Sequence, residues 1–343
     1  MILVTGATGF IGTYLVDQLV KDGVDVLATG RDVIGQSYYE KRGIPFSKLD
    51  ILKEEDFKKL PENIDAIVHL AALLRIDAWS AKDYLMTNSL GTYNVLEYCR
   101  KKNIKKIVYS MTHSDINRTK DLIITENTPR EFGGPSTAFI VSKVAAVNII
   151  ESYTREYGIH GIILRLPGIR GYGCRFIGVQ DGKFIEAAYH KFIRRASEGK
   201  PIEIWSHSDA KRDMTYIKDV VRGIVCALNA EDAVGLYNIG TGIGVTIEDE
   251  AKAIIKVFSP PNNPSEILYR PDIEGIQRRG FIYDISKAKR DLGYYPKFSC
   301  EDALKDYKKE MESGKFRYLV LRQEAILKNK YGKNLKDVLD ADQ

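Results

Sequence analysis

The chain has 343 residues, 44% of them apolar and 28% charged, with a formal net charge of +5. These values allow one large core, or a core with a smaller lobe, and exclude long disordered tracts. The small positive balance suits an anionic small ligand; with no basic tail or clustered arm, it argues against nucleic acid as a partner.

In chain order, short apolar runs alternate with helical patterns. ILVT (2–5), DVLAT (25–29), PFSKLD (45–50), AIVHLAA (66–72), KIVYS (106–110) and GIILRLP (161–167) read as buried strands. The first helix shows in Ile11, Leu15 and Leu19 at four-residue steps, with Val16 and Val20 beside them. This alternation implies an α/β fold, a Rossmann-like doubly wound parallel sheet over residues 1–171.

After Gly171 the rhythm changes. GYGCRFIGVQDGK (171–183) reads as a glycine-rich loop and Phe184–Ser197 as a helix. IEIW (202–205), RDMTYI (212–217), a helix at 218–229, LYNIG (236–240) and a helix from Thr246 to Val257 follow, with a break at PPNNP (260–264). These predict a smaller C-terminal α/β substrate-binding lobe at 172–314, interleaved with the first domain, and a helical extension at 315–343.

Cys99, Cys174, Cys226 and Cys300 form no C-x-x-C pair, so neither a metal site nor a disulfide framework is expected. Reduced thiols suit the cytoplasm. No apolar run reaches the ~18–20 residues that span a bilayer, so no membrane role is expected. MILVTG opens on a strand, with no charged segment of a signal peptide before it.

VTGATGFIG (4–12) sets Gly6, Gly9 and Gly12 between a strand and a helix. A tight turn needs residues without Cβ, and a pyrophosphate must approach backbone N–H groups at a helix N-terminus, so the loop predicts a bound dinucleotide. At the end of the second strand the position for an acid that takes the ribose hydroxyls of NAD is Gly30, followed by Arg31 and Asp32. Arg31 favours NADP, because a guanidinium pairs with a 2′-phosphate; Asp32 keeps NAD open.

With these residues in view, the sequence resembles the extended short-chain dehydrogenase/reductases, in the branch of nucleotide-sugar epimerases and dehydratases that includes the UDP-glucose 4-epimerases. The likeness runs over roughly residues 1–310. It rests on TGATGFIG, HLAA (69–72), Asn88 in NSLGTYNVLE, VYSMT (108–112), FIVSK (139–143), RDMTYIKDVV (212–221), LYNIGTG (236–242) and DISKAKRDLGYYPKFS (284–299). The resemblance implies that Gly6, Thr8, Gly9, Phe10, Ile11 and Gly12 hold the pyrophosphate, with Arg31 at the ribose. It implies that Asp50 and Ile51 flank the adenine, that Leu70, Ala71 and Ala72 line the nicotinamide side, and that Asn88 belongs to the cofactor site. Thr112 would bond the substrate hydroxyl, Lys143 the nicotinamide ribose, and Arg212 and Arg270 the nucleotide diphosphate. It further implies a homodimer, through helices near 83–101 and 136–157.

The family's proton-carrying tyrosine falls at Phe139, four residues before Lys143. A phenol there is tuned by a nearby ammonium, and the i to i+4 spacing puts both groups on one helix face. Phe139 keeps the ring and loses the oxygen, so the catalytic set Thr112, Phe139 and Lys143 is expected to be impaired. Either an active enzyme has been altered at this position, which the retained Thr112, Ser142 and Lys143 favour, or a natural variant uses another base, with His113 and Asp115 as candidates. His113 and Ser114 stand where dehydratases carry an Asp-Glu pair, and Gly168 stands where the family has asparagine. The reading is NAD(P)-dependent hydride transfer on a nucleotide-linked sugar, foremost C4 epimerisation. A reductase or C4 dehydrogenase, or a non-catalytic dinucleotide sensor, are the alternatives.

Overall fold

A computed structural model describes residues 1–74, 80–134, 137–180, 183–205, 209–270, 273 and 279–335. The chain divides into two compact units. The first comprises Met1–Gly168, Ile217–Gly240 and Tyr283–Pro296; the second comprises Ile169–Tyr216, Thr241–Ile282 and Lys297–Gln343.

The first unit is built on seven parallel strands: β1 Ile2–Thr5, β2 Val26–Gly30, β3 Phe46–Lys48, β4 Ala66–His69, β5 Lys106–Thr112, β6 His160–Leu166 and β7 Gly235–Asn238. Their order is β3-β2-β1-β4-β5-β6-β7, with the reversal between β1 and β4. Apolar residues on both faces (Leu3, Val4, Ile67, Val68, Ile107, Val108, Ile162, Ile163) are buried, as a parallel sheet covered on two sides requires. Helices α1 Phe10–Lys21, α2 Val33–Glu40, α3 Gly91–Lys102 and α4 Thr137–Tyr157 belong to this unit. In α1 the expected stripe buries Leu15, Val16 and Leu19, while Val20 is exposed. Each predicted strand forms, with ends shifted by up to three residues. Open sheets of this type bind ligands outside the strands' C-terminal ends, at the point of reversal.

In the second unit, Ile202–Trp205 pairs parallel with Ile267–Arg270, and Arg212–Tyr216 pairs antiparallel with Gly244–Val245. Helix Ile247–Phe258 begins on a capping box, Thr246 with Asp249, close to the predicted start. The glycine-rich segment differs from expectation. Ile177–Gln180 and Lys183–Glu186 are antiparallel strands, so the predicted loop is half strand and the helix starts at Ala188 instead of Phe184. Asp181 and Gly182, within the predicted loop, lie outside the described residues. What the sequence hides is the partner: Ile177 is buried against Leu327, from a helix about 150 residues on.

That helix, Arg317–Tyr331, is the predicted extension, and it belongs to the second unit; residues 336–343 of the extension lie outside the described residues. Gln323 donates to the carbonyls of Gly173 and Cys174 at 3.0 and 3.2 Å and accepts from Phe176 N–H at 3.0 Å. Leu319 fills the space beside Gly173, whose φ of +85° suits glycine. Replacing Gln323 with alanine strands three backbone groups at once. We expect Gln323→Ala to lower stability by about 1–3 kcal/mol, read as a fall in thermal midpoint.

Candidate active site

The glycine loop leaves β1 and enters α1. Gly6 has φ +67°, and a Cβ there would lie 2.6 Å from Ala71 N. A Cβ on Gly12 would strike Gly6 O at 2.4 Å. These two positions hold loop, helix and the segment after β4 closer together than any side chain permits. Gly9 is the N-cap of α1 and supplies no side-chain cap, and the first turn carries no acid. A helix start with uncapped donors beside an open glycine turn fits a dinucleotide pyrophosphate. Thr8 is buried, while Phe10 and Ile11 are half-buried at the start of α1.

Strand β2 ends at Gly30, as read from the sequence. A Cβ on Gly30 would lie 2.7 Å from Thr8 Cγ2, and one on Gly35 at 2.1 Å, so Thr8 is seated against two glycines. Asp32 is the N-cap of α2 and accepts from Gly35 N–H at 2.7 Å. Arg31 between them is exposed, with no ion pair among the described residues. Asp50 accepts from Leu52 N–H, and buried Ile51 packs where a side chain on Gly91 would otherwise go. Leu70 N–H bonds Thr5 O, and Ala71 N–H bonds Thr5 Oγ1. Ala72 follows, half-buried.

A buried polar chain continues from there. Thr5 Oγ1 lies 2.7 Å from His69 Nδ1, and His69 Nε2 lies 3.0 Å from Thr92 Oγ1. Thr92 gives its own proton to Asn88 O at 2.6 Å, so its oxygen must accept from His69. That fixes the neutral Nε2–H tautomer, with Nδ1 accepting from Thr5. Burial and the nearby Lys143 pull the His69 pKa down to about 3, consistent with a ring that never charges. Asn88 lies in a π-helical turn, Leu85–Leu90, a form frequent at functional sites. Its amide bonds Leu73 N–H and C=O and gives a proton to Ser142 Oγ at 3.0 Å, and Ser142 donates to Phe139 O at 2.7 Å. The sequence reading placed Asn88 at the cofactor; in the structure its side chain fastens the turn to α4. Nothing in the sequence pattern signals the roles of His69, Thr92 and Ser142, because they depend on partners 23 to 64 residues away.

Thr112 ends β5, and its Oγ1 donates to Ser114 Oγ at 3.0 Å. Asp115, considered as a replacement base, is fully buried and bonded to Arg165 Nη2 at 2.9 Å, which removes it from proton traffic with substrate. His113 is half-buried in the short helical turn after Thr112. Phe139 is 7% exposed and meets the Tyr84 ring edge-on at 5.7 Å. Lys143, one turn on, is 4% exposed, and its Nζ sits 4.1 Å above the Tyr109 ring. Burial lowers its pKa to about 7.

In the second unit, Arg212 opens its strand, half-buried, in register with Val245. Arg270 ends its strand opposite Trp205, 3.8 Å from Glu203. Arg170, which the sequence reading did not single out, forms a two-point pair with Glu250 at 2.6 and 3.0 Å over the Tyr189 ring. Among the described residues no cluster of His, Cys, Asp and Glu could hold a metal, and no helix is long and apolar enough to cross a membrane.

Comparison with known proteins gives this geometry its context. An uncharacterised UDP-glucose epimerase of Bacillus subtilis, YtcB, is 29% identical over 317 residues, covering 88% of this chain and 95% of that protein. The UDP-glucose 4-epimerase of Thermotoga maritima, solved with UDP-glucose, superposes with a TM-score of 0.77 at 27% identity, over 91% of this chain and 98% of that one. A tyrosine-to-phenylalanine variant of Bacillus cereus UDP-glucuronic acid 4-epimerase, solved with UDP-4-deoxy-4-fluoro-glucuronic acid and NAD, gives 0.73 at 26%, over 91% and 99%. The family model for NAD-dependent epimerases and dehydratases matches residues 2–240, and the chain, a nicotinamide-dependent enzyme of the extended short-chain dehydrogenase/reductase type, belongs to that family.

Proposed function

We propose that the chain carries out hydride transfer on a nucleotide-linked sugar and interconverts its C4 epimers. The observation that carries this reading is the union, in one unit, of the glycine cradle with Thr112 at the end of β5 and Lys143 on α4. Bound dinucleotide supplies the hydride acceptor. Thr112 orients the sugar hydroxyl, Lys143 holds the nicotinamide ribose, and Arg212 and Arg270 are the cations for the diphosphate. Burial of Phe139 and Tyr109 keeps water from the proton that must move. Calorimetric titration with UDP-, GDP-, CDP- and dTDP-sugars tests the reading; failure of all four to bind supports the dinucleotide sensor, for which Phe139 is the supporting residue. Conversion of the bound sugar to its C4 epimer without added cofactor separates an epimerase from a one-way reductase.

NADP is the cofactor this reading favours. Gly30 leaves no side chain where a ribose-binding acid would stand, Asp32 is occupied as a helix cap, and Arg31 is free in solvent for a phosphate. Arg31→Ala should weaken NADP binding tenfold or more, the ~1.4 kcal/mol or more of a lost charged contact, and leave NAD binding within about twofold. Equal loss for both dinucleotides in a fluorescence titration would remove the preference. A homodimer is the expected assembly. Tyr93 and Leu90 around α3, with Val141 and Tyr157 on α4, are 40 to 44% exposed and would be covered by a second copy, which light scattering would detect.

A further inference from the structure

We infer that Lys143 itself is the acid/base group of this enzyme, its amine taking the proton of the sugar hydroxyl in place of the phenol that Phe139 lacks. The inference rests on the functional reading above and assigns the one step that reading leaves without an owner. The geometry supports it from several sides. Lys143 lies one helical turn beyond Phe139, where side chains at i and i+4 share a face. Its Nζ is packed on the Tyr109 ring and makes no hydrogen bond or ion pair among the described residues.

Each carboxylate on an element packed against α4 is engaged elsewhere. Asp83, from the short helix Ala81–Tyr84, accepts from Ser80 N–H. Asp115 is held by Arg165. Glu97 on α3 takes Arg100 and the Tyr153 hydroxyl. Other titratable groups on that side include His113 in the turn after β5, Tyr84 against the Phe139 ring, His69, locked neutral in its tautomer, and the buried Tyr109 phenol, which desolvation keeps protonated. On β5, Lys106 is bonded to the Leu228 and Ala230 carbonyls, and on β6 His160 faces Glu231 O. Among the described residues, a lysine so enclosed has no anion to hold its charge and shares the site with apolar rings, the setting in which an amine becomes a base near neutrality.

The step balances. The O–H bond of the C4 hydroxyl breaks and an N–H bond forms on Nζ, giving an ammonium. With a dinucleotide bound, its oxidised nicotinamide ring would accept the C4–H electron pair as hydride while the C–O bond becomes a carbonyl. Return of hydride to the other face of the ketone, with the ammonium giving its proton back to oxygen, yields the epimer. Lys143 is therefore both acid and base, and over the full cycle neither the amine nor the dinucleotide is consumed.

The test uses the intact protein labelled with ¹³C at lysine Cε, with the Lys143 signal identified by its loss in Lys143→Met. In the cofactor-free protein that signal should titrate near neutrality, well apart from the other lysines; titration within a unit of their common midpoint overturns the inference. Lys143→Arg keeps the cation but cannot accept a proton. It should cut turnover of UDP-glucose at least a hundredfold at saturating dinucleotide, a loss larger than any change in dinucleotide affinity measured beside it, while the thermal midpoint stays close to wild type. Retained turnover in that variant, within threefold, also overturns it. Should neither the wild type nor Phe139→Tyr turn over any sugar nucleotide, the functional reading falls, and the lysine titration still decides whether the amine is poised as a base.

Discussion

Phe139→Tyr should raise turnover of the sugar nucleotide at least a hundredfold, the lower end of what a positioned general acid/base contributes. The substitution returns one oxygen to a position one turn before Lys143, on a ring already held by Tyr84 and by the helix that Asn88 and Ser142 fasten. The scaffold therefore needs no rearrangement to place it. The added hydroxyl is buried, so without a partner it should lower the stability of the cofactor-free protein by about 1–3 kcal/mol. Bound dinucleotide should recover part of that loss. The pH dependence should change with the rate, because a phenol next to an ammonium takes over a proton that the amine alone carried. Steady-state and single-turnover rates of the two forms on the sugar that binds in calorimetry decide the matter. Equal rates would show that the missing oxygen is not what limits the protein.

How much of this was legible in the sequence depends on the range of each interaction. The sheet strands announced themselves because a parallel strand buried on both faces is a continuous apolar run with a helix on either side, a local signal. The glycine loop was legible from its own residue pattern between strand and helix, even though Gly6 is also needed by its close approach to Leu70 and Ala71 after β4. The segment at 171–186 was misread for the opposite reason. Its strands pair with each other, yet it is anchored by Gln323 and Leu327, and no pattern within sixteen residues reports a partner so distant. The same holds for the site. Lys143 and Phe139 could be found from their spacing, but the lack of an anion beside Lys143 among the described residues, and the diversion of Asp115 to Arg165, are properties of packing alone.

His69 shows how these levels join. In the sequence it is one polar residue in an apolar strand. In the structure its two nitrogens tie the end of β1 to the π-helical turn, and that turn holds the backbone of Phe139. The glycine loop and α4 are thus connected through uncharged hydrogen bonds, which would suit a site where hydride and proton leave one carbon and its oxygen together. A charged imidazole would reverse one donor in this chain and lie close to the Lys143 amine. The low pKa of His69 follows from both constraints.

Lys143→Met should make the cofactor-free protein more stable at neutral pH, and should abolish turnover. A buried amine whose pKa is about 7, against 10.5 in the ordinary state, is neutral in the folded protein over a range where the unfolded chain binds a proton. Above pH 10.5 neither state is protonated and the burial of nitrogen carries no ionisation penalty. As pH falls through the window from 10.5 to 7, the unfolded state gains a proton that the folded state does not, so stability declines; below 7 both are charged and the decline stops. The full difference corresponds to an upper bound of ~5 kcal/mol, at about 1.4 kcal/mol per unit. A measured value of roughly half that would be ordinary once the unfolded chain and local relaxation are counted. Cys99 and the buried tyrosines titrate in the same alkaline range with the opposite sign, since their raised pKa values favour the folded state less as pH rises. The quantity to follow is therefore the difference between the two proteins, taken from urea unfolding at pH 7, 8, 9 and 10 (chosen to span that window). Methionine reproduces the lysine side chain as far as Cε and removes the amine, so most of the packing on the Tyr109 ring is kept. The gap should be widest near pH 7 and close toward pH 10. A gap that stays constant across the series would mean that Lys143 is charged in the folded protein, with an anion or water supporting it.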